Sequence, residues 1–165
     1  MKPVALFTCA GTPYRGLGLD CYDIARDARS FLGVGPVIAH PPCRAWGRYK
    51  AWAKPRPDEK GLALWALDLV RRNGGVLEHP LSSSLWAHLS PLERSRSLVI
   101  RQCDFGHRAE KETLLFWARL GPSPALPPSY DGPLVPVENM GRQERERTPP
   151  ELARFLVEWV STWRG

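Results

Sequence analysis

Three short apolar runs, each cut off by glycine or proline and separated by helix-length stretches, constrain this chain more than any other feature. Val4-Ala5-Leu6-Phe7-Thr8 is followed by Gly11 and Pro13, Pro36-Val37-Ile38-Ala39-His40 runs into Pro41-Pro42-Cys43, and Val76-Leu77-Glu78-His79 stops at Pro80. Runs of this length ending at turn formers read as buried strands. After Asp20, the residues Ile24, Ala28, Phe31 and Leu32 recur at helical spacing, with Asp20 as N-cap, Asp23 three residues on and Gly33 as a stop, which predicts an amphipathic helix from Cys21 onward. Leu62, Trp65, Ala66, Leu69 and Val70 predict a second helix from near Asp58 to Asn73-Gly74-Gly75. Strand and helix alternating over residues 4–79 favour right-handed crossovers and a mostly parallel sheet with helices on both faces. The expected fold class is α/β, three-layer and Rossmann-like in a reduced form.

The rest of the chain completes one expected domain of 165 residues. Ser82 to Leu89 suits a short helix, and Leu98–Cys103 and Thr113–Trp117 suit two strands around Asp104-Phe105-Gly106-His107, a hairpin at the sheet edge. Residues 121–136 hold six prolines, so 121–147 is expected as a proline-rich and charged loop region. Thr148-Pro149-Pro150-Glu151 reads as a capping box with proline at the first helical position. Leu152, Phe155, Leu156, Trp159, Val160 and Trp163 then line one face of a closing helix.

No apolar run approaches the roughly 18 residues of a membrane span, and the four apolar residues before Thr8 are too few for the core of a signal peptide, so the expected location is the cytoplasm. There the cysteines at 9, 21, 43 and 103 are expected as free thiols. The formal net charge of +6 favours a polyanionic partner, DNA or a nucleotide.

In an open parallel sheet, functional groups gather beyond the carboxyl ends of the strands. His40-Pro41-Pro42-Cys43 and Glu78-His79-Pro80 both fall there, which would bring a thiol and a carboxylate together across neighbouring strand ends. The two prolines fix backbone angles and would hold Cys43 in one orientation, as a nucleophile requires. Pro41-Pro42-Cys43 resembles the proline-cysteine motif of cytosine carbon-5 DNA methyltransferases, and Gly75-Val76-Leu77-Glu78-His79-Pro80 stands where that family carries glutamate-asparagine-valine. The segment from Asp104 to Thr113 is similar to the family's aromatic-glycine turn with basic residues before a strand, and Arg147-Thr148-Pro149 resembles its closing segment. Compact phage-type proteins share this look.

The resemblance implies that Cys43 adds as a thiolate to carbon 6 of a pyrimidine while Glu78 binds the ring nitrogen and exocyclic amine. A duplex base would first be flipped out. It further implies substrate contacts from His40, Pro42, His79, His107, Arg108 and Lys111. The cofactor would be S-adenosylmethionine, with Phe7, Gly11, Asp20 and Asp23 as candidate ligands in an abbreviated region of 42 residues before Cys43. His79 replaces the family's asparagine.

Beyond the resemblance, Arg44, Trp46, Arg48, Tyr49, Lys50, Trp52, Lys54 and Arg56 interleave cations with aromatic rings, the combination that grips phosphates and stacks bases. Arg142, Arg145 and Arg147 alternate with Glu144 and Glu146, as on a solvated face. His40-x-x-Cys43 and Cys103-x-x-x-His107 are weak zinc spacings, so no metal is expected. Two other functions stay open: base exchange or nucleotide chemistry in which Glu78 attacks a sugar carbon, as in transglycosylases, and a non-catalytic nucleic-acid-binding module on a degenerate methyltransferase scaffold.

Overall fold

The computed structural model describes residues 2–48, 50–118 and 123–163. Five strands form one mixed sheet in the order β1-β2-β3-β5-β4, with β1 Val4–Leu6, β2 Val37–Ala39, β3 Gly75–Pro80, β4 Ser97–Arg101 and β5 Glu112–Trp117. The first three are parallel, β5 runs antiparallel to both of its neighbours, and β4 is the edge strand of the expected hairpin. Helix α1 spans Pro13–Gly16, α2 Glu59–Asn73, α3 Pro91–Arg94, α4 Arg142–Glu146 and α5 Pro150–Ser161. No helix among the described residues is long and apolar enough to cross a membrane.

Strand periodicity of two divides the core cleanly. Leu6, Val37, Ala39, Leu77 and Phe116 face Ala63, Ala66, Leu67 and Val70 of α2. Ala5, Ile38, Val76, Leu115 and Trp117 face Leu152, Leu156, Trp159 and Val160 of α5, with Tyr14 of α1 beside them. Gly75 is required where β3 meets β2, because its φ is 105° and a Cβ there would overlap the backbone carbonyl of Val37.

The helix expected after Asp20 is absent. Its apolar residues do not share an environment, since Ala28 and Phe31 are buried while Ile24 and Leu32 are 75% and 91% exposed. The segment instead seals the edge of β1, with Ala5 N donating to the Asp20 carbonyl, Tyr22 N to the Ala5 carbonyl and Thr8 N to the Tyr22 carbonyl. Asp23 then accepts from the backbone N–H groups of Ala25 and Arg26, a local turn that competes with helix. Only a 3-10 turn, Ala28–Ser30, forms before β2.

The capping box at Thr148 is also absent. Helix α5 starts with Pro150 at its first position, so its N-cap is Pro149, which makes no side-chain hydrogen bond. The box that does form is Ser90 with Glu93 at α3. Asp58 precedes α2 as expected but makes no side-chain cap bond and pairs with Arg29 instead. The expected helix at 82–89 is a 3-10 turn, Ser84–His88. The region expected as loop from 121 to 147 contains a 3-10 turn at Val137–Asn139 and α4, while residues 123–136 form no regular element. Residues 121 and 122 lie outside the described residues.

Candidate active site

The parallel register sets His40 beside Glu78. Ala39 pairs with Leu77, so the next residue on each chain is a neighbour of the other. Both share the parity of Ile38 and Val76 and therefore project toward Tyr14 and α5. His40 Nδ1 lies 2.8 Å from Glu78 Oε2, and His40 Nε2 lies 2.7 Å from the Tyr14 hydroxyl. From the hairpin, Gln102 Nε2 donates to Glu78 Oε1 at 3.2 Å and to Thr113 Oγ1 at 3.0 Å, leaving Gln102 Oε1 buried with no partner.

Two of the strand-end residues around this cluster have unusual backbones. Phe7 after β1 and Lys111 before β5 are the two non-glycine residues with positive φ among the described residues, at 61° and 41°. Such conformations persist only where surrounding contacts impose them, and they concentrate at functional crevices. Lys111 Nζ donates to the Arg145 carbonyl, and its charge is felt by both Cys43 and Glu78.

Electrostatics separate the two candidate reactive groups. Burial pushes Glu78 up, but the His40 hydrogen bond and the Lys111 charge prevail and hold the carboxyl well below its ordinary range. Glu78 is thus an anion at neutral pH. Burial pushes the Cys43 thiol up, the Glu78 charge pushes it further, and Lys111 opposes both. Cys43 is thus a protonated, half-buried thiol.

The loop carrying Cys43 is fastened to the α2 face. The Cys43 carbonyl accepts from the N–H groups of Trp46 and Gly47, the second at 2.7 Å. Trp46 is 4% exposed and packs edge-on to His88 at 5.5 Å. Arg44 makes a two-pronged ion pair with Glu59, a carboxylate that is 2% exposed. Two residues of the expected nucleic-acid stretch are therefore anchors. Trp46 has its ring in the core and Arg44 has its charge engaged, so neither is presented as a phosphate or base contact. Arg48, Trp52, Lys54 and Arg56 are exposed, Lys50 reaches Ser84, and Tyr49 lies outside the described residues.

Other expected site residues lie apart from this cluster. Pro42 is half-buried in the Cys43 loop, and His79 has the opposite parity to Glu78, so its ring is buried against Trp86 on the α2 face. Arg108 pairs with Glu144, while His107 and Arg108 line a cleft of about 480 Å³ with Cys103, Asp104, Tyr130 and Val135. This cleft and the His40–Glu78 cluster thus do not coincide. We centre the candidate site on the cluster, because Tyr14, His40, Glu78 and Gln102 form one largely buried hydrogen-bonded chain, whereas Arg108 in the cleft is exposed and, like Asp104, tied into an ion pair.

The residues proposed for S-adenosylmethionine do not fit it. Asp20 is paired with Arg26, and Asp23 accepts from Arg15 and two backbone N–H groups. Gly11 has open space around its Cβ position, so no wall approaches it as a cradle would. Neither the cleft above nor a second of about 310 Å³ beside Phe155 and Trp159 is lined by Phe7, Gly11, Asp20 or Asp23. No group of three or more His, Cys, Asp or Glu that could hold a metal occurs among the described residues. Sequence reasoning missed Tyr14, Gln102, Thr113 and Glu59. Position at a strand end was the signal available for Gln102 and Thr113, and Tyr14 and Glu59 carried none.

Compared with family models, curated proteins and solved structures, the chain matches none.

Proposed function

We propose that this chain is a nucleobase-modifying enzyme acting on DNA, cytosine carbon-5 methyltransferase-like in the way it engages a pyrimidine, with Cys43 as nucleophile and Glu78 as the acid that recognises the base. The observation that carries this reading is the electrostatic coupling of the Cys43 thiol, in the loop after β2, to an ionised, hydrogen-bonded carboxylate on neighbouring β3, with the Lys111 charge felt by both. Support for the scaffold comes from α2 on one sheet face and α5 on the other, which suits a reduced Rossmann-like layering. The net charge of +6 and the exposed Arg48, Lys54 and Arg56 suit a DNA backbone.

The chemistry balances without any donor. The thiol proton passes to Glu78 as sulfur bonds to carbon 6, the ring electrons shift onto N3, and Glu78 returns that proton to N3. Carbon 5 becomes nucleophilic and takes up a solvent proton. Loss of its original hydrogen to solvent as a proton, and expulsion of sulfur from carbon 6 as Glu78 carries the N3 proton back to it, then restore the ring and the thiol.

The test is exchange at carbon 5. Single- and double-stranded oligonucleotides carrying 5-deuterated deoxycytidine are incubated with the protein and read by mass spectrometry. Deuterium is expected to wash out with the parent protein, not with Cys43→Ser, and at least tenfold more slowly with Glu78→Gln. A folded parent protein that leaves the deuterium in place, or exchange indifferent to Cys43→Ser, overturns the reading. Base exchange through attack of Glu78 on a sugar carbon is the second reading, favoured by the ionised state of Glu78 and the protonated state of Cys43. It would survive Cys43→Ser.

A further inference from the structure

The cluster at the carboxyl edge contains more polar groups than a thiol and a carboxylate require, and the direction of every proton in it follows by elimination. The Lys111 carbonyl can only accept, so the Thr113 hydroxyl 3.3 Å away donates to it and offers Gln102 lone pairs alone. The Gln102 amide nitrogen, which donates to Thr113 Oγ1, also donates to Glu78 Oε1. An ionised Glu78 has no proton to give, so His40 Nδ1 must donate to Oε2. Tyr14 is fully buried, keeps its phenolic proton, and has His40 Nε2 as its hydrogen-bond partner among the described residues. A buried hydroxyl proton without an acceptor is costly, so the phenol donates and Nε2 is a bare lone pair. The imidazole of His40 therefore carries its single proton on Nδ1.

We propose that Tyr14 is a positioning residue for Glu78: by donating to His40 Nε2 it locks His40 in the Nδ1–H tautomer, and His40 and Gln102 together fix both carboxylate oxygens of Glu78. One lone pair on each oxygen then remains for a substrate. Without the phenol, the proton on His40 is free to move to Nε2, the hydrogen bond to Oε2 is lost, and the carboxylate can rotate about its own side chain. This deepens the functional reading and rests on it for its consequence, though not for its geometry. A partner group that selects an imidazole tautomer is a recurrent way to orient a reactive ligand, and its loss typically reduces activity 10- to 100-fold.

The test uses ring-nitrogen chemical shifts of His40 in the full chain labelled with nitrogen-15, followed by carbon-5 exchange. The parent protein should show a protonated Nδ1 and an unprotonated Nε2 at neutral pH. Tyr14→Phe, which keeps the ring and removes the hydroxyl, should show the two nitrogens averaging. It should also lower the exchange rate at saturating DNA at least tenfold while leaving DNA affinity within twofold. The shifts in the parent protein decide the matter even if the variant fails to fold: a proton on Nε2, or on both nitrogens, overturns the proposal. So does a Tyr14→Phe variant that keeps both tautomer and rate. Absence of exchange in the parent protein, with the Nδ1–H tautomer intact, overturns the functional reading and leaves the tautomer lock standing.

Discussion

His79 offers the most direct test of how β3 distributes its side chains. Alternation sends Glu78 toward Tyr14 and sends His79 the other way, edge-on to Trp86 at 5.9 Å and 85°. The ring is 1% exposed and neither of its nitrogens has a hydrogen-bond partner. Burial therefore penalises the charged form and pulls the group from 6.5 to about 4, with the Glu78 charge and the Pro42 carbonyl acting in the opposite direction. The unfolded chain then binds a proton that the native state refuses. The stability share of this group is complete above pH 6.5 and is lost as pH falls toward 4, a total of about 3 kcal/mol, of which about 2 kcal/mol falls between pH 7 and 5. Urea unfolding at those two pH values measures it. His79→Phe fills the same ring-shaped space and has nothing to protonate, so its own decline should be smaller than the parent's by about 2 kcal/mol. At pH 7 it should be at least as stable, because two orphaned polar atoms are gone. Equal pH dependence in the two proteins, or a Phe variant weaker at pH 7 by more than about 1 kcal/mol, would refute the burial argument.

Gly75→Ala should unfold the protein, at a cost above about 4 kcal/mol, because the added methyl group meets the Val37 backbone at φ 105°. Gly61→Ala on the open side of α2 should instead stabilise it by roughly 0.5–1 kcal/mol, and denaturant melts of the pair check both signs. Glu59→Gln should cost about 2 kcal/mol, less than a fully buried pair because Arg44 is partly exposed, and should speed amide hydrogen exchange at Trp46 and Gly47; unchanged exchange there would disconnect the ion pair from the Cys43 loop.

The parallel core of the fold was legible because its signal is local. Three apolar runs ended by glycine or proline became β1, β2 and β3, and of the face read from Leu62, Trp65, Ala66, Leu69 and Val70 the last three are buried in α2, with Ala63 and Leu67 completing the stripe and Leu62 and Trp65 only half-buried. The spacing of Ile24, Ala28, Phe31 and Leu32 was equally helical, yet the backbone there bonds to β1 instead. Sequence spacing says nothing about a competing strand edge, and that long-range pairing decided the outcome. The same limit applies at the site. His40, Cys43 and Glu78 sit at strand ends and advertise themselves by motif. Tyr14, Gln102 and Thr113 are brought to them only by helix and hairpin packing, across 26, 24 and 11 residues of chain between hydrogen-bonded partners. Trp46 was misleading for a different reason: an aromatic ring among cations suits a base-stacking surface and a buried anchor equally well, and only its 4% exposure separates them.

Strand alternation gives Cys43 and Glu78 separate supports. Cys43 is held from the α2 side, by Trp46 in the core and Arg44 on Glu59, whereas Glu78 is held from the α5 side, by His40, Tyr14 and Gln102. The two supports have no residue in common, so substitutions in one and in the other should add in their effects on stability. Loosening the Arg44–Glu59 pair acts on the Cys43 loop, and removing the Tyr14 hydroxyl acts on the His40–Glu78 hydrogen bond. Alternation also sends His79 to the α2 side, where an imidazole kept neutral by burial fills the space against Trp86 without adding a charge to the core.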